Sequence, residues 1–208
     1  MYRIAMGHEQ ILYFVKYPEP GKVKTRLAKA LGSNAAAKAY RGLAESIFHS
    51  LSNGNSKSKG FETVVFFDPP EKERQVKEWL PGAAAYRSQK GKDLGERLIH
   101  AFKEAFQDGA ERVLAVGSDT LGFKPKFVMK AFDVLKNYDV VIGPAKDGGY
   151  YLIGFSGFHT ILFQDIPWST GDVLKTTLGW IREEGLSYSL LQELEDLDEI
   201  NEHTTYGP

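Results

Sequence analysis

Short apolar runs of strand type alternate along this chain with segments whose apolar residues return every three or four positions, and few folds accept that pattern. Ile11 to Val15, Thr63 to Phe67, Ala83 to Arg87, Arg112 to Val116, Val140 to Ile142 and Tyr150 to Phe155 read as strands. Between them, helices are expected from Arg26 onward with Thr25 as cap and Gly32 as stop, over Asn34 to Leu51 with Ser33 as cap, and over Glu71 to Leu80. Leu94, Leu98, Phe102 and Phe106 repeat every four residues and mark an amphipathic helix ended by Gly109. Phe127, Ala131 and Leu135 mark another, and Val173 to Ile181 a last one. Strands that are apolar throughout are buried on both faces, and strands joined by helices pair parallel through right-handed crossovers. The expected fold class is α/β: a three-layer α/β/α arrangement with a mostly parallel central sheet. With 208 residues, 42% of them hydrophobic, the chain suits one such domain over 1–208, with residues 1–10 irregular. Asn53 to Gly60 is the most linker-like stretch but has the length of an ordinary surface loop.

In such sheets ligands sit beyond the carboxyl ends of the strands, so the strand exits carry the chemistry. The first strand leaves into Lys16-Tyr17-Pro18-Glu19-Pro20-Gly21-Lys22-Val23-Lys24-Thr25-Arg26. Prolines and Gly21 forbid regular structure there, and Lys16, Lys22, Lys24 and Arg26 gather positive charge at a helix start. That is the composition of a phosphate loop, each charge-assisted bond contributing about 1.5–3 kcal/mol; the alternative is a solvated basic loop. A Walker A loop is excluded, because Gly21-Lys22 is not followed by Ser or Thr. Arg112 to Val116 leaves into Gly117-Ser118-Asp119-Thr120, and Val140 to Ile142 into a segment containing Asp147, Gly148, Gly149 and Tyr150. Asp119 and Asp147 are thus two carboxylates opposite a lysine-rich loop, suited to holding Mg2+ or Mn2+ against phosphates; a lone Asp in such a place is otherwise a turn former. Gly148 and Gly149 allow close backbone approach to a ligand or a tight turn. Gln89 follows the Ala83 to Arg87 strand on the same edge.

Composition narrows the partner. A net charge of −1 argues against a general nucleic-acid binder and makes the basic cluster a local feature. Zero cysteines exclude disulfides, thiolate metal sites and cysteine nucleophiles, and fit a reducing compartment. The amino-terminal stretch MYRIAMGHEQ has no apolar leader, and no segment reaches the length of a membrane span. A cytoplasmic protein is expected. His8, His49, His100, His159 and His203 have no metal-ligand spacing and are expected to be structural or solvated. No Ser-His-Asp arrangement is evident. The run Glu193 to Glu202 reads as a charged helix face, although Asp196 and Asp198 could add a carboxylate to the site. Trp168 could stack on a base or sugar, or serve as core.

Four segments, FVKYPEPGKVKTRL, QKGKDLGERL, VGSDT and IGPAKDGGYYLIG, together with DIPWST and the DLDEI tail, resemble in order a family of uncharacterised bacterial transferases of the glycosyltransferase-A (GT-A) type. These are nucleotide-diphospho-sugar transferase-like proteins, also called radical-SAM/selenodomain-associated transferases, distantly similar to the molybdenum-cofactor and phospholactate guanylyltransferases. The match runs from about Ile11 to Asn201. The resemblance implies the nucleotide-diphospho-sugar transferase fold and glycosyltransferase- or nucleotidyltransferase-like activity. It implies Lys16, Lys22, Lys24 and Arg26 as the phosphate loop, Asp93, Leu94 and Gly95 as the nucleoside-facing turn and Asp119 as metal ligand. Beside these, Gly21, Thr25, Gln89 and Ser118 are expected on the nucleotide, and Gly148, Gly149, Tyr150 and Trp168 toward the acceptor. A nucleoside triphosphate or nucleotide sugar and a small-molecule acceptor are the expected partners, with a homodimer as an allowed assembly. One departure stands out: the family has a proline where this chain has Leu121, which suggests a less rigid turn behind Asp119. A nucleotide-binding protein without turnover is therefore the alternative.

Overall fold

Strand and helix alternate as the sequence pattern dictates in the structure, a computed structural model that describes residues 8–52 and 60–197. The chain runs β1 (Glu9–Lys16), α1 (Thr25–Leu31), α2 (Ser33–Ser52), β2 (Phe61–Asp68), α3 (Glu73–Trp79), β3 (Ala85–Ser88), α4 (Leu94–Gln107) and β4 (Arg112–Val116). It continues through β5 (Thr120–Leu121), α5 (Pro125–Val134), β6 (Val140–Pro144), β7 (Tyr150–Phe155), α6 (Val173–Glu183), β8 (Tyr188–Leu190) and β9 (Glu195–Asp196). Two 3-10 turns, Pro70–Lys72 and Thr160–Phe163, precede α3 and α6. The seven-stranded sheet has the order β3-β2-β1-β4-β7-β6-β8. β1 pairs parallel with β2 and β4, β2 with β3, and β6 with β8, whereas β7 is antiparallel to both β4 and β6. The sheet is mostly parallel, as the continuous apolar strands require.

Residue alternation divides the core into two layers. Ile11, Tyr13 and Val15 of β1 and Leu114 and Val116 of β4 pack with Tyr40, Ala44 and Phe48 of α2, Val76 and Trp79 of α3, and Phe127 and Ala131 of α5. Leu12, Val113 and Ala115, between them in sequence, face Leu98, Phe102 and Ala105 of α4 and Ile181 of α6. Helices therefore cover both faces, and the carboxyl ends of β1, β2, β3, β4 and β6 share one edge. None of the helices among the described residues is long and apolar enough to cross a membrane.

Three local expectations need correction. Ser33 is the first residue of α2 and not its cap. Thr25 is the first residue of α1 and not its cap; Lys24 holds that position in the left-handed conformation (φ 46°, ψ 51°) with no side-chain cap bond. A helix of seven residues has little macrodipole to offer, so anion binding here falls to side chains. The acidic run does not begin as a helix: Glu195–Asp196 forms β9, antiparallel to β5, because Leu194 and Leu197 on either side are buried and the Leu197 N–H donates to the Asp119 carbonyl at 2.8 Å. That same ladder, with Thr120 Oγ1 donating to Asp196 Oδ1 at 3.0 Å, holds the turn at which a proline was expected, and Leu121 packs against Leu27, Ala36 and Leu197. Asp198, His203 and Asn53 to Lys59 of the linker-like loop lie outside the described residues.

Candidate functional site

The exits of β1 and β4 enclose a cleft of about 440 Å³, and nine of the residues singled out in the sequence line it: Lys16, Lys22, Lys24, Thr25, Arg26, Gln89, Leu94, Ser118 and Asp119. Gly21, with φ 80°, makes the turn in the basic loop. The Lys22 N–H donates to the Glu19 carbonyl at 3.0 Å, and the Lys22 ammonium stands 3.1 Å from the Glu19 carboxylate, which this contact holds below its usual range. The two halves of the site meet directly. Lys24 Nζ lies 2.6 Å from Asp119 Oδ2, with the lysine side chain 9% exposed and the carboxylate 36%.

α4 enters the site with its amino end. Asp93 caps it, accepting from the Glu96 N–H at 2.8 Å, and Glu96 reaches back to accept from the Lys92 N–H at 2.9 Å. Leu94, first of the four-residue apolar repeat, is left 42% exposed at the cleft. Gly95 is buried so closely that a Cβ would stand 2.8 Å from both Trp168 Nε1 and the Phe163 carbonyl. Trp168 thereby sits over the start of α4 and packs edge-on against Tyr150 (centroids 6.3 Å apart). Tyr150 lines a smaller apolar cavity of about 80 Å³ that shares Phe14, Leu94 and Gly117 with the main cleft. Gln89 faces the cleft, but its amide is committed to the scaffold: Nε2 donates to the Val15 and Phe66 carbonyls at 3.0 Å, and Oε1 accepts from Arg97 at 3.2 Å.

The β6–β7 hairpin places Asp147 at its exposed tip, where Oδ1 accepts from the Gly149 N–H at 2.8 Å. Gly148 (φ 87°) is required by the chain itself, since a Cβ there would collide with the Gly171 carbonyl. Behind Asp119, Asp196 is partly buried, and its carboxyl is pushed up to about 7 by that burial first and then by the negative charge of Asp119, with Asp147 adding to it. The three carboxylates therefore share one electrostatic neighbourhood. Carboxylate oxygens are hard ligands of the kind Mg2+ and Mn2+ prefer, and the Lys24 ammonium already contacts one oxygen of Asp119. Among the described residues no three His, Cys, Asp or Glu side chains form a complete cation cage, so phosphate oxygens and water would have to complete the shell. His8, His49, His100 and His159 belong to no such group.

Sequence reasoning missed Tyr40. This residue of α2 is 3% exposed, lines the cleft, accepts from the Lys16 N–H at 2.9 Å and shares a 2.8 Å hydrogen bond with Ser118 Oγ. Burial pushes its phenol up to about 12. The available signal was a tyrosine on the apolar face of a helix, because a buried phenol needs a partner.

Residues 55–170 match the model of a family described as uncharacterized protein conserved in bacteria, DUF2064. A protein of Desulfovibrio desulfuricans G20, provisionally assigned as a nucleotide-diphospho-sugar transferase, is 38% identical, with 92% of this chain and 82% of that one superposed at a TM-score of 0.85. Glucosyl-3-phosphoglycerate synthase of Mycobacterium tuberculosis, solved with Mn2+, UDP and glucosyl-3-phosphoglycerate, shares the fold at 12% identity (TM-score 0.57; 94% and 72% covered). The inositol-1-phosphate CTP transferase of T. maritima does so at 15% identity (TM-score 0.54; 97% and 94% covered). No curated protein matches the chain.

Proposed function

The chain belongs to the DUF2064 family, and from that premise we propose that it is a transferase dependent on Mg2+ or Mn2+ that takes a nucleoside triphosphate or nucleotide sugar as donor and a small molecule as acceptor. The observation that carries this reading is the meeting of Lys24 and Asp119 in a cleft lined by Lys16, Lys22 and Arg26. A cation-binding carboxylate and a phosphate-binding loop are thus brought to one point, where a donor's phosphates and its cation would separate them. The similarity to the D. desulfuricans protein, and the Mn2+ and UDP bound by the mycobacterial synthase, support the same assignment.

Asp119, with Asp147 at the hairpin tip, would hold the cation, which supplies charge neutralisation at the phosphates. Lys24 and Arg26 bear on the leaving group. In nucleotidyl transfer the acceptor oxygen bonds to the α-phosphorus and pyrophosphate departs. In glycosyl transfer it bonds to the anomeric carbon and the nucleoside diphosphate departs. Negative charge grows on a phosphate oxygen either way, so fixed cations on the loop stabilise the transition state more than the ground state. Leu94 and the start of α4 would receive the nucleoside, and Trp168 with Tyr150 the acceptor side. The alternative of binding without turnover drew on Leu121, and the β5–β9 ladder behind Asp119 favours the enzyme. Incubation with each nucleoside triphosphate and the common nucleotide sugars, assaying pyrophosphate against nucleoside diphosphate release, separates the two chemistries; metal-dependent binding of neither class refutes the assignment.

A further inference from the structure

Tyr40 is the best-placed polar group near the cleft that the proposed chemistry does not use. It lies in α2, between the two strand exits and distant from both in sequence. Its oxygen meets the β1 exit at the Lys16 N–H (2.9 Å) and the β4 exit at Ser118 Oγ (2.8 Å). A phenol has one proton and two lone pairs. The Lys16 N–H takes one lone pair, which leaves Tyr40 either to donate its proton to Ser118 or to accept the serine's. A phosphate in the cleft decides the matter, because its oxygens only accept. The Ser118 proton then turns toward the phosphate, and Ser118 Oγ becomes an acceptor for Tyr40. Ser118 itself is 5% exposed, so its hydroxyl has few competing partners in water.

We infer that Tyr40 is a positioning residue that orients the Ser118 hydroxyl as a hydrogen-bond donor to the phosphates of the ligand. The chain of donors runs from Tyr40 to Ser118 to a charged oxygen, an order in which each bond polarises the next. Burial keeps the phenol protonated through the neutral range, so the donor is always loaded. The same hydroxyl ties Lys16 to Ser118 and so fixes the separation between the basic loop and the Asp119 turn.

The inference rests on the cleft being a phosphate site, and its test keeps the two apart. Inorganic pyrophosphate is titrated calorimetrically into the wild type, Tyr40→Phe, Ser118→Ala and the double variant, with a melting curve for each. Each single change should weaken binding about tenfold, and the double variant should be no more than about twofold weaker than either single, because Tyr40 acts on the ligand through the Ser118 hydroxyl. A merely structural tyrosine would give losses that multiply to about a hundredfold, which overturns the inference, as does wild-type affinity in Tyr40→Phe. If Tyr40→Phe does not fold, unchanged affinity in Ser118→Ala overturns it equally. A wild type that does not bind pyrophosphate removes the phosphate site, and the proposed function with it.

Discussion

Lys24→Met should move the affinities for cation and for phosphate in opposite directions, and the 2.6 Å contact between Lys24 and Asp119 is the reason. At the proposed site the ammonium and a divalent cation would compete for one carboxylate. Unit charges about 4 Å apart attract by about 4 kcal/mol at the effective dielectric of a protein surface, and solvent at a carboxylate that is one-third exposed reduces the net value to about 1–2 kcal/mol. Removing the lysine relieves that competition, so Mn2+ alone should bind about tenfold more tightly. Pyrophosphate loses a charge-assisted partner and should bind roughly ten- to a hundredfold more weakly. Asp119→Asn is the mirror image: Mn2+ binding is lost, while pyrophosphate without metal gains about tenfold as the Asp119 charge that repels it is removed. Calorimetric titration of each ligand separately into each protein reads all of these shifts. If Lys24→Met weakens both ligands, or leaves Mn2+ binding unchanged, the competition does not exist and the carboxylate is not the cation's site.

Asp196 gives a pH signature. Its folded carboxyl titrates at about 7, above the ordinary carboxylate range, so the folded state holds the proton more tightly than the unfolded state. The associated stability is full below about pH 4 and is lost as pH rises through 7. In EDTA, the wild type should therefore lose on the order of 2 kcal/mol relative to Asp196→Asn between pH 5 and 8, and parallel melting profiles would contradict the burial argument. Gly95→Ala should force Trp168 off the start of α4, seen as a change in tryptophan fluorescence with a stability loss of about 1–3 kcal/mol, and unaltered emission would count against that packing. Gly148→Ala meets both a left-handed backbone and the Gly171 carbonyl, so a melting curve should show a loss of about 3 kcal/mol or more; a near-wild-type curve would refute the close crossing.

The layered sheet was legible because its strands are apolar throughout and the α4 repeat from Leu94 to Phe106 admits only a helix. The basic loop and Asp119 were legible because strand exits are where charged residues interrupt apolar runs. What escaped was geometry between distant segments. Nothing near Lys24 in sequence says that its ammonium touches Asp119, and nothing around Glu195 says that two acidic residues will pair with Thr120 and Leu121. Composition made that segment read as a solvated helix, while the deciding signal was the pair of leucines flanking it. Tyr40 was hidden by its own periodicity, since its ring belongs to the core and only its hydroxyl to the site. Gln89 was found at the right edge, but its hydrogen bonds show a strut between β1 and β2.

The β5–β9 ladder also sets an order of events. It joins residues 76 positions apart through two paired residues, whereas the longer closure of β1 on β4, 103 positions apart at Glu9 and Arg112, is repaid by five, so the β5–β9 pairing returns the least for its loop entropy. A growing or refolding chain can complete its central strands while the Asp119 turn still waits for the segment ending at Leu197 to arrive. The Asp119 corner should accordingly be the last part of the molecule to form. Pulse-labelled hydrogen exchange during refolding should find the amides of Leu12 and Leu114 protected before that of Leu197, and Mn2+ binding should appear with the later phase.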